Sequence, residues 1–524
     1  MKPKLLAIGI AAVLLVGGGA LALTRFMAPS TDDALSFVPP DAYFYANVFV
    51  DPSNGQKQAL DDFLQKFPGI ESTDDVIEML TNLLDDSLEE EGLDYEEDVK
   101  PWLGDQLAIF GIPGGTPELP NGAVLVESKD DAAARNFLDK AMPGPQNDVE
   151  SKTYKGIEYE LDGDGGAVAF TGGFLVAGFE DAVRASIDAL ESEDTLETSE
   201  AFEKATAPLA DDWIGLFYVD PAGIFEEFAP SAMLTPEDQA ALDIFDVENQ
   251  PPQAAILYAT SDSAVFEGTG SLAGAGPFAF LGLTADPGLV PELPADSWLA
   301  FGFPKLGELV TGFIEAFEGV QGFDMAQVEA MFYAETGLRL ERDILSWLGD
   351  FGAFAQGTNL QEVAGGIVIE SSDPAKTTAL VEKVADLIEQ QGVRPDPASM
   401  GGLEGFSLQM PGVPAPIYFL GGERLVIAYG EDATEAAATG EGTLAESEVF
   451  SAAQEAVGEN FNISFFLEAD GALALADAGM AFSAGENDTY TNKVKPYLEV
   501  FTYVVSAAKR EGDTIVSKLV VGVE

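Results

Sequence analysis

Apolar positions along this chain alternate between two rhythms. Ala42 to Val50, rich in aromatic and β-branched residues, predicts a strand, and Pro52 breaks the chain after it. Leu60, Phe63 and Leu64 then fall at helical spacing and predict a helix over 55–66. A second helix is predicted over 73–90, with Val76, Ile77, Leu80, Leu83 and Leu84 turned inward. Strands follow at 106–112 and 122–128, then a helix to Ala141. Residues 153–160, 166–171 and 173–178 read as an antiparallel meander with Gly-rich turns. Helices near 180–190 and 199–206 lead to a strand at 213–219. A hairpin at 253–260 and 264–272, around Ser261-Asp262-Ser263, closes the pattern.

The pattern then starts again. Val38-Pro39-Pro40-Asp41-Ala42-Tyr43 returns as Leu293-Pro294-Ala295-Asp296-Ser297-Trp298, and Trp102-Leu103-Gly104-Asp105 as Trp347-Leu348-Gly349-Asp350. Gly122 to Ser128 is matched by Gly366 to Ser372, and Thr195-Leu196 to Phe202 by Thr443-Leu444 to Phe450. The spacing stays at roughly 250 residues, far longer than a solenoid repeat, so it marks a domain duplication. The second copy ends on strands at 498–507 and 513–522 around Arg510-Glu511-Gly512. Strands joined by tight turns, with helices inserted in pairs, predict an α+β fold with mainly antiparallel sheets. The expected layout is a first repeat at 38–273, a linker at 274–292 and a second repeat at 293–524. Phe278 to Leu283 in the linker is a possible extra strand.

The N-terminus has a different character. Lys2 and Lys4 precede an uncharged run from Leu5 to Leu23, which at about 1.5 Å per residue spans roughly 28 Å, close to the ~30 Å of a bilayer core. Residues 1–27 therefore read as an uncleaved signal anchor, or as a signal peptide cleaved near Ala20-Leu21-Ala22. The first reading gives a single-pass cell-membrane protein with its C-terminal body outside, and the second a secreted or periplasmic one. Residues 28–37 read as a short polar tether.

Composition narrows the chemistry more than it changes the fold. Hydrophobic residues make up 47% of the 524, enough for a substantial core in each repeat. The formal net charge is -65, which repels phosphate backbones and excludes nucleic acid as a partner. Such a surface suits a saline exterior or the capture of cations. Cysteine and histidine are both absent. Disulfides, Cys/His zinc sites, thiol nucleophiles and the common His-dependent triads are thereby excluded. No cofactor is expected. Oxygen-ligated Ca or Mg, weakly bound, stays open.

Comparing the copies separates scaffold from candidate function. Trp102, Gly104 and Asp105 recur as Trp347, Gly349 and Asp350, so both sets read as scaffold: a core Trp, a Gly ending a helix in a left-handed conformation, and an Asp opening a strand. Asp51-Pro52-Ser53-Asn54-Gly55-Gln56-Lys57 has no counterpart in Phe303 to Glu308. Asp51, Ser53, Asn54, Gln56 and Lys57 thus form a candidate recognition loop, with helix capping by Ser53 or Asn54 as the structural alternative. Asp85 to Asp98 is densely acidic and its counterpart is not, which fits a solvated helix end. Asp162-Gly163-Asp164-Gly165-Gly166 lacks the twelfth-position acid of an EF-hand, since Gly173 stands there, and reads as a hairpin turn.

The N-terminal anchor, Pro39-Pro40-Asp41-Ala42-Tyr43, Asp51-Pro52 with Gln56-Lys57, Phe67-Pro68-Gly69 and Lys100 to Asp105 together resemble the exported bacterial family called domain of unknown function 3352. The likeness spans nearly all of the chain after residue 36, and is clearest in the first half. It implies a bacterial, membrane-anchored extracytoplasmic protein and carries no activity or ligand. The expected function is a non-enzymatic binding or envelope protein with an unnamed envelope partner or ligand, touching the membrane through its N-terminal helix only. The cleft between the copies is the default site. The alternative is an exported hydrolase using Asp/Glu or Ser/Lys chemistry, which a deep pocket with perturbed carboxylates would favour.

Overall fold

A computed structural model describes residues 31–50, 52–73, 75–76, 88, 92–115, 120–141, 149–228, 250–271, 285–317, 325–359, 361–483, 489–512 and 514–524. The apolar run Leu5–Leu23, Asp51, most of the helix expected over 73–90, much of the acidic stretch and residues 274–284 of the expected linker lie outside these. Among the described residues no helix is long and apolar enough to cross a membrane. The fold is α+β with antiparallel sheets, and it divides into two compact units.

The first unit contains β1 (Phe44–Phe49), β2 (Leu103–Gly111), β3 (Gly122–Ser128), β4 (Glu150–Tyr154), β5 (Ile157–Leu161), β6 (Gly166–Thr171), β7 (Phe174–Phe179), β8 (Gly215–Val219), β9 (Gln253–Ala259) and β10 (Ser263–Ser271). They pair antiparallel in the order β10-β9-β8-β1-β2-β3-β7-β6-β5-β4. Strand β3 shows why its sequence is a continuous apolar run rather than an alternating one. Ala123 and Leu125 face one core with Tyr45, Phe110 and Val176, beneath Ala182, Val183 and Ile187 of the helix Glu180–Ser192. Val124 and Val126 face the other, with Trp102 and Leu175, beneath Ala134, Phe137 and Leu138 of the helix Asp131–Ala141. A strand covered on both faces has no solvent side to mark with polar residues.

The second unit contains β11 (Ser297–Phe303), β12 (Leu348–Gln356), β13 (Ala364–Ser371), β14 (Asp396–Met400), β15 (Leu403–Leu408), β16 (Ile417–Gly421), β17 (Arg424–Tyr429), β18 (Asn462–Glu468), β19 (Phe501–Glu511) and β20 (Thr514–Val523). Their order is β20-β19-β18-β11-β12-β13-β17-β16-β15-β14, strand for strand that of the first unit. Details recur as well. The β2–β3 ladder is irregular between Leu103 and Leu107, and the β12–β13 ladder between Leu348 and Phe351. Leu196 N–H donates to Val38 O, and Leu444 N–H to Leu293 O, each at 2.8 Å.

Four expectations need correction. The strand expected at 153–160 is two strands, because Lys155 and Gly156 (φ 47° and 88°) make a tight hairpin turn. Gly401 and Gly402 turn β14 into β15 the same way. The tether at 28–37 is not wholly polar chain, since Asp33–Phe37 forms a 3-10 turn with Ala34, Leu35 and Phe37 in the core. The linker ends earlier than expected: Ala285, Leu289 and Val290 are already buried in the second unit. Gly104 does not end a helix in a left-handed conformation. It lies within β2, where a Cβ would come within 2.5 Å of the Glu127 Cβ, so its role is close approach.

Candidate functional site

One end of the second unit opens into a cleft of about 740 Å³. Four separate segments bring carboxylates to it. Asp296 precedes β11, Glu362 lies in the β12–β13 connection, Glu431 and Asp432 open the helix Glu431–Thr439, and Glu468 ends β18. None of the described lining residues is basic. Glu431 and Asp432 sit in the first turn of their helix, where the macrodipole favours negative charge. Glu468 is held above the usual carboxylate range by burial, and then by the charges of Asp470 and Asp296. Among the described residues, no group of three or more Asp or Glu side chains converges to hold a metal ion. The carboxylates line the cleft rather than meet at a point.

The matching place in the first unit is chemically different. Glu180 opens the helix Glu180–Ser192 as Glu431 opens its own. Tyr159 donates its hydroxyl to Glu180 at 2.7 Å, Arg184 lies 2.7 Å from the same carboxylate and Lys152 3.5 Å. That hydrogen bond, with the two cations, holds Glu180 below its usual range. Lys152 pairs with Tyr159 across β4–β5, and the corresponding cross-strand pair of β14–β15 is Ala398 with Gly405. The position of Arg184, four residues into its helix, holds Glu435 in the second. At these three positions the second unit thus carries none of the groups that neutralise Glu180 in the first.

The residues singled out in the sequence are placed as follows. Ser53 caps the helix Asn54–Leu64, its Oγ accepting from Gln56 N–H at 3.1 Å and donating to Asp212 at 2.9 Å. Gln56 is buried, and its Oε1 accepts from Ala259 N–H at 2.8 Å. Asn54 is exposed and Lys57 partly so. Trp102 and Trp347 are both buried, each donating Nε1–H to the carbonyl four residues back, of Asp98 and Asp343, at 2.8 Å. Asp105 pairs with Lys129 at 2.6 Å, whereas Asp350 accepts from Lys305 N–H at 2.9 Å. Asp162 Oδ1 accepts from Asp164 and Gly166 N–H, closing the β5–β6 turn. None of these residues lines the acidic cleft.

Sequence reasoning missed a buried polar cluster in the first unit. Tyr45 donates its hydroxyl to Asp32, 2.7 and 2.9 Å from the two carboxylate oxygens. Gln106 accepts from Ala34 N–H at 3.3 Å and donates to Thr31 O at 3.0 Å. Asn47 is fully buried beside Gln106, with its Oδ1 unpartnered. Burial drives the Asp32 pKa up to about 6. The available signal was polar residues at inward positions of β1, Tyr45 and Asn47, which read as Ala300 and Gly302 in the second half of the chain.

Fold and cleft together define a class: two-unit α+β proteins, each unit an extended antiparallel sheet with inserted helices. The chain belongs to the family described as protein of unknown function (DUF3352), whose model matches residues 5–499. No curated protein matches it significantly. Among solved structures it is similar to crystal form I of TP0453, at 12% identity over 47% of this chain and 80% of that one, with a TM-score of 0.24. Crystal form III matches at 12% identity over 48% and 81%, with a TM-score of 0.24.

Proposed function

We propose that this is a membrane-anchored, extracytoplasmic binding protein, built by duplication of one α+β domain, whose second unit takes up an extended cationic ligand. The observation that carries the reading is the loss of Lys152, Tyr159 and Arg184 equivalents around Glu431. The first unit maintains the same fold with its carboxylate neutralised, so the bare acidity of the second cleft is not a requirement of the fold. A volume of about 740 Å³ lies in the ordinary range for small-molecule sites, roughly 300–1,000 Å³. Carboxylates spread over four segments suit a ligand with several separated amines, such as a polyamine or a basic peptide, better than a single metal ion.

Calorimetric titration of the full-length protein in neutral detergent tests the reading. Spermine is the probe, at fixed ionic strength, against a variant carrying Glu431→Gln, Asp432→Asn and Glu468→Gln. Saturable binding that the variant loses supports it. Equal, salt-like uptake by both proteins refutes it. Carbonate extraction of native membranes tests the anchor, which predicts retention in the pellet.

A further inference from the structure

The segment Thr31–Val38 lies against β1 and β2 of the first unit's sheet and is fastened there twice. Its backbone is held by Gln106 of β2, which accepts from Ala34 N–H and donates to Thr31 O. Its side chains are held by the core, where Leu35 and Phe37 are buried, and by Tyr45 of β1, which donates to Asp32. Leu35 also helps to wall a cavity of about 280 Å³, shared with Glu197, Phe202, Trp213, Leu216 and Ile256. Among the described residues, the groups acting on Asp32 are Tyr45 and Asn47 from β1, the Leu35 amide of its own turn, and Glu197 from the 3-10 turn Leu196–Thr198. None of them is a cation. The same stretch of the second unit is fastened differently, with Asp286 paired to Arg510 at 3.0 Å and Lys305 at 3.4 Å.

We propose that Thr31–Val38 is a proton-operated strap, docked on the sheet while Asp32 carries a proton and loosened when it ionises, so that the cavity walled by Leu35 opens.

A largely buried carboxyl that, among the described residues, meets a hydroxyl, an amide and another carboxylate but no cation is most comfortable neutral. The docked state therefore holds its proton more tightly than the free segment. Its advantage is full below pH 3.8, the ordinary aspartate value, and is lost as pH rises to about 6. The docking equilibrium changes by roughly a hundredfold across that window and is flat above it. Asp286, held below its usual range by Arg510 and Lys305 against the opposing effect of burial, gives the second unit no such response there.

Amide hydrogen exchange on the full-length protein in detergent, corrected for intrinsic rates, reads the strap directly. Protection at Ala34, Leu35 and Val38 should fall by up to about a hundredfold between pH 4 and pH 7. It should stay level in Asp32→Asn, which mimics the protonated form. Glu197→Gln, which removes the nearby like charge, should move the wild-type midpoint to lower pH and serves if Asp32→Asn does not fold. A level wild-type profile, an equal fall in Asp32→Asn, an unmoved midpoint in Glu197→Gln, or a matching fall at Leu125 and Val126 of β3 would each overturn the proposal. The last of these would mean that the unit opens as a whole.

Discussion

The indole of Trp102 donates its Nε1–H to the carbonyl oxygen of Asp98 at 2.8 Å, so a buried ring ties down the turn that delivers its own strand. The turn is the π-helical segment Tyr95–Val99, and Leu340–Ile344 is its equivalent before Trp347. Trp102→Phe keeps most of the ring and removes the donor. Leaving a part-buried carbonyl without it should cost about 1–3 kcal/mol. Urea unfolding should show an equal direction of change for Trp347→Phe. A loss near zero in both would mean that water replaces the indole.

Close approach at the glycine of the same motif is unequal in the two units. A Cβ at Gly104 would lie 2.5 Å from the Glu127 Cβ and 2.8 Å from its backbone, whereas at Gly349 the nearest atoms of Glu370 are 3.1–3.2 Å away. Gly104→Ala should therefore destabilise by about 1–3 kcal/mol, and Gly349→Ala by less. Denaturant midpoints of the two single variants decide the order; reversal would show that the β2–β3 irregularity absorbs the methyl.

Gln56 and Lys57 are neighbours with opposite expectations. Gln56→Ala strands the buried Ala259 N–H and should cost about 1–3 kcal/mol, while Lys57→Ala should stay within about 0.5 kcal/mol. Thermal melts of the pair measure this. If instead Lys57→Ala weakens capture of a partner with its stability intact, the segment acts in recognition.

Glu468 adds a pH signature to the second unit. Burial and its acidic neighbours raise its pKa in the folded state, so its contribution to stability is greatest at acid pH and declines as pH rises through that raised value. Glu468→Gln should accordingly stabilise the protein at pH 7 and not at pH 4. Chemical denaturation at the two pH values provides the comparison, and an equal effect at both would assign the change to packing.

Ionic strength acts on the whole molecule. With a formal charge of -65, repulsion is screened as the Debye length shrinks from about 10 Å at 0.1 M salt to about 3 Å at 1 M. The melting temperature should rise by several degrees over that range in sodium chloride, and a flat profile would remove salt adaptation as the reason for the acidity.

Most of the strand and helix order was legible, because β1, β8 and β9 carry aromatic and β-branched residues and because the same order of patterns recurs in the two halves of the chain. What escaped depended on single residues in special places. Lys155 adopts a positive φ that glycine normally supplies, so only Gly156 hinted at the turn. Asp32 and Thr31 looked like linker because their partners, Tyr45 and Gln106, lie on strands distant in sequence. The bare cleft was hidden for a similar reason. The cations missing around Glu431 become visible only when β14–β15 is laid against β4–β5 in register.

Strand order also decides where a mechanical load would enter the body. Gln106 and Tyr45 hold Thr31 and Asp32 to β2 and β1, two adjacent interior strands of the first unit's sheet. A pull arriving from residues before Thr31 therefore reaches the interior of the sheet, where each strand is flanked on both sides. It bypasses β4 at the margin, where rungs could separate in succession like the teeth of a zip.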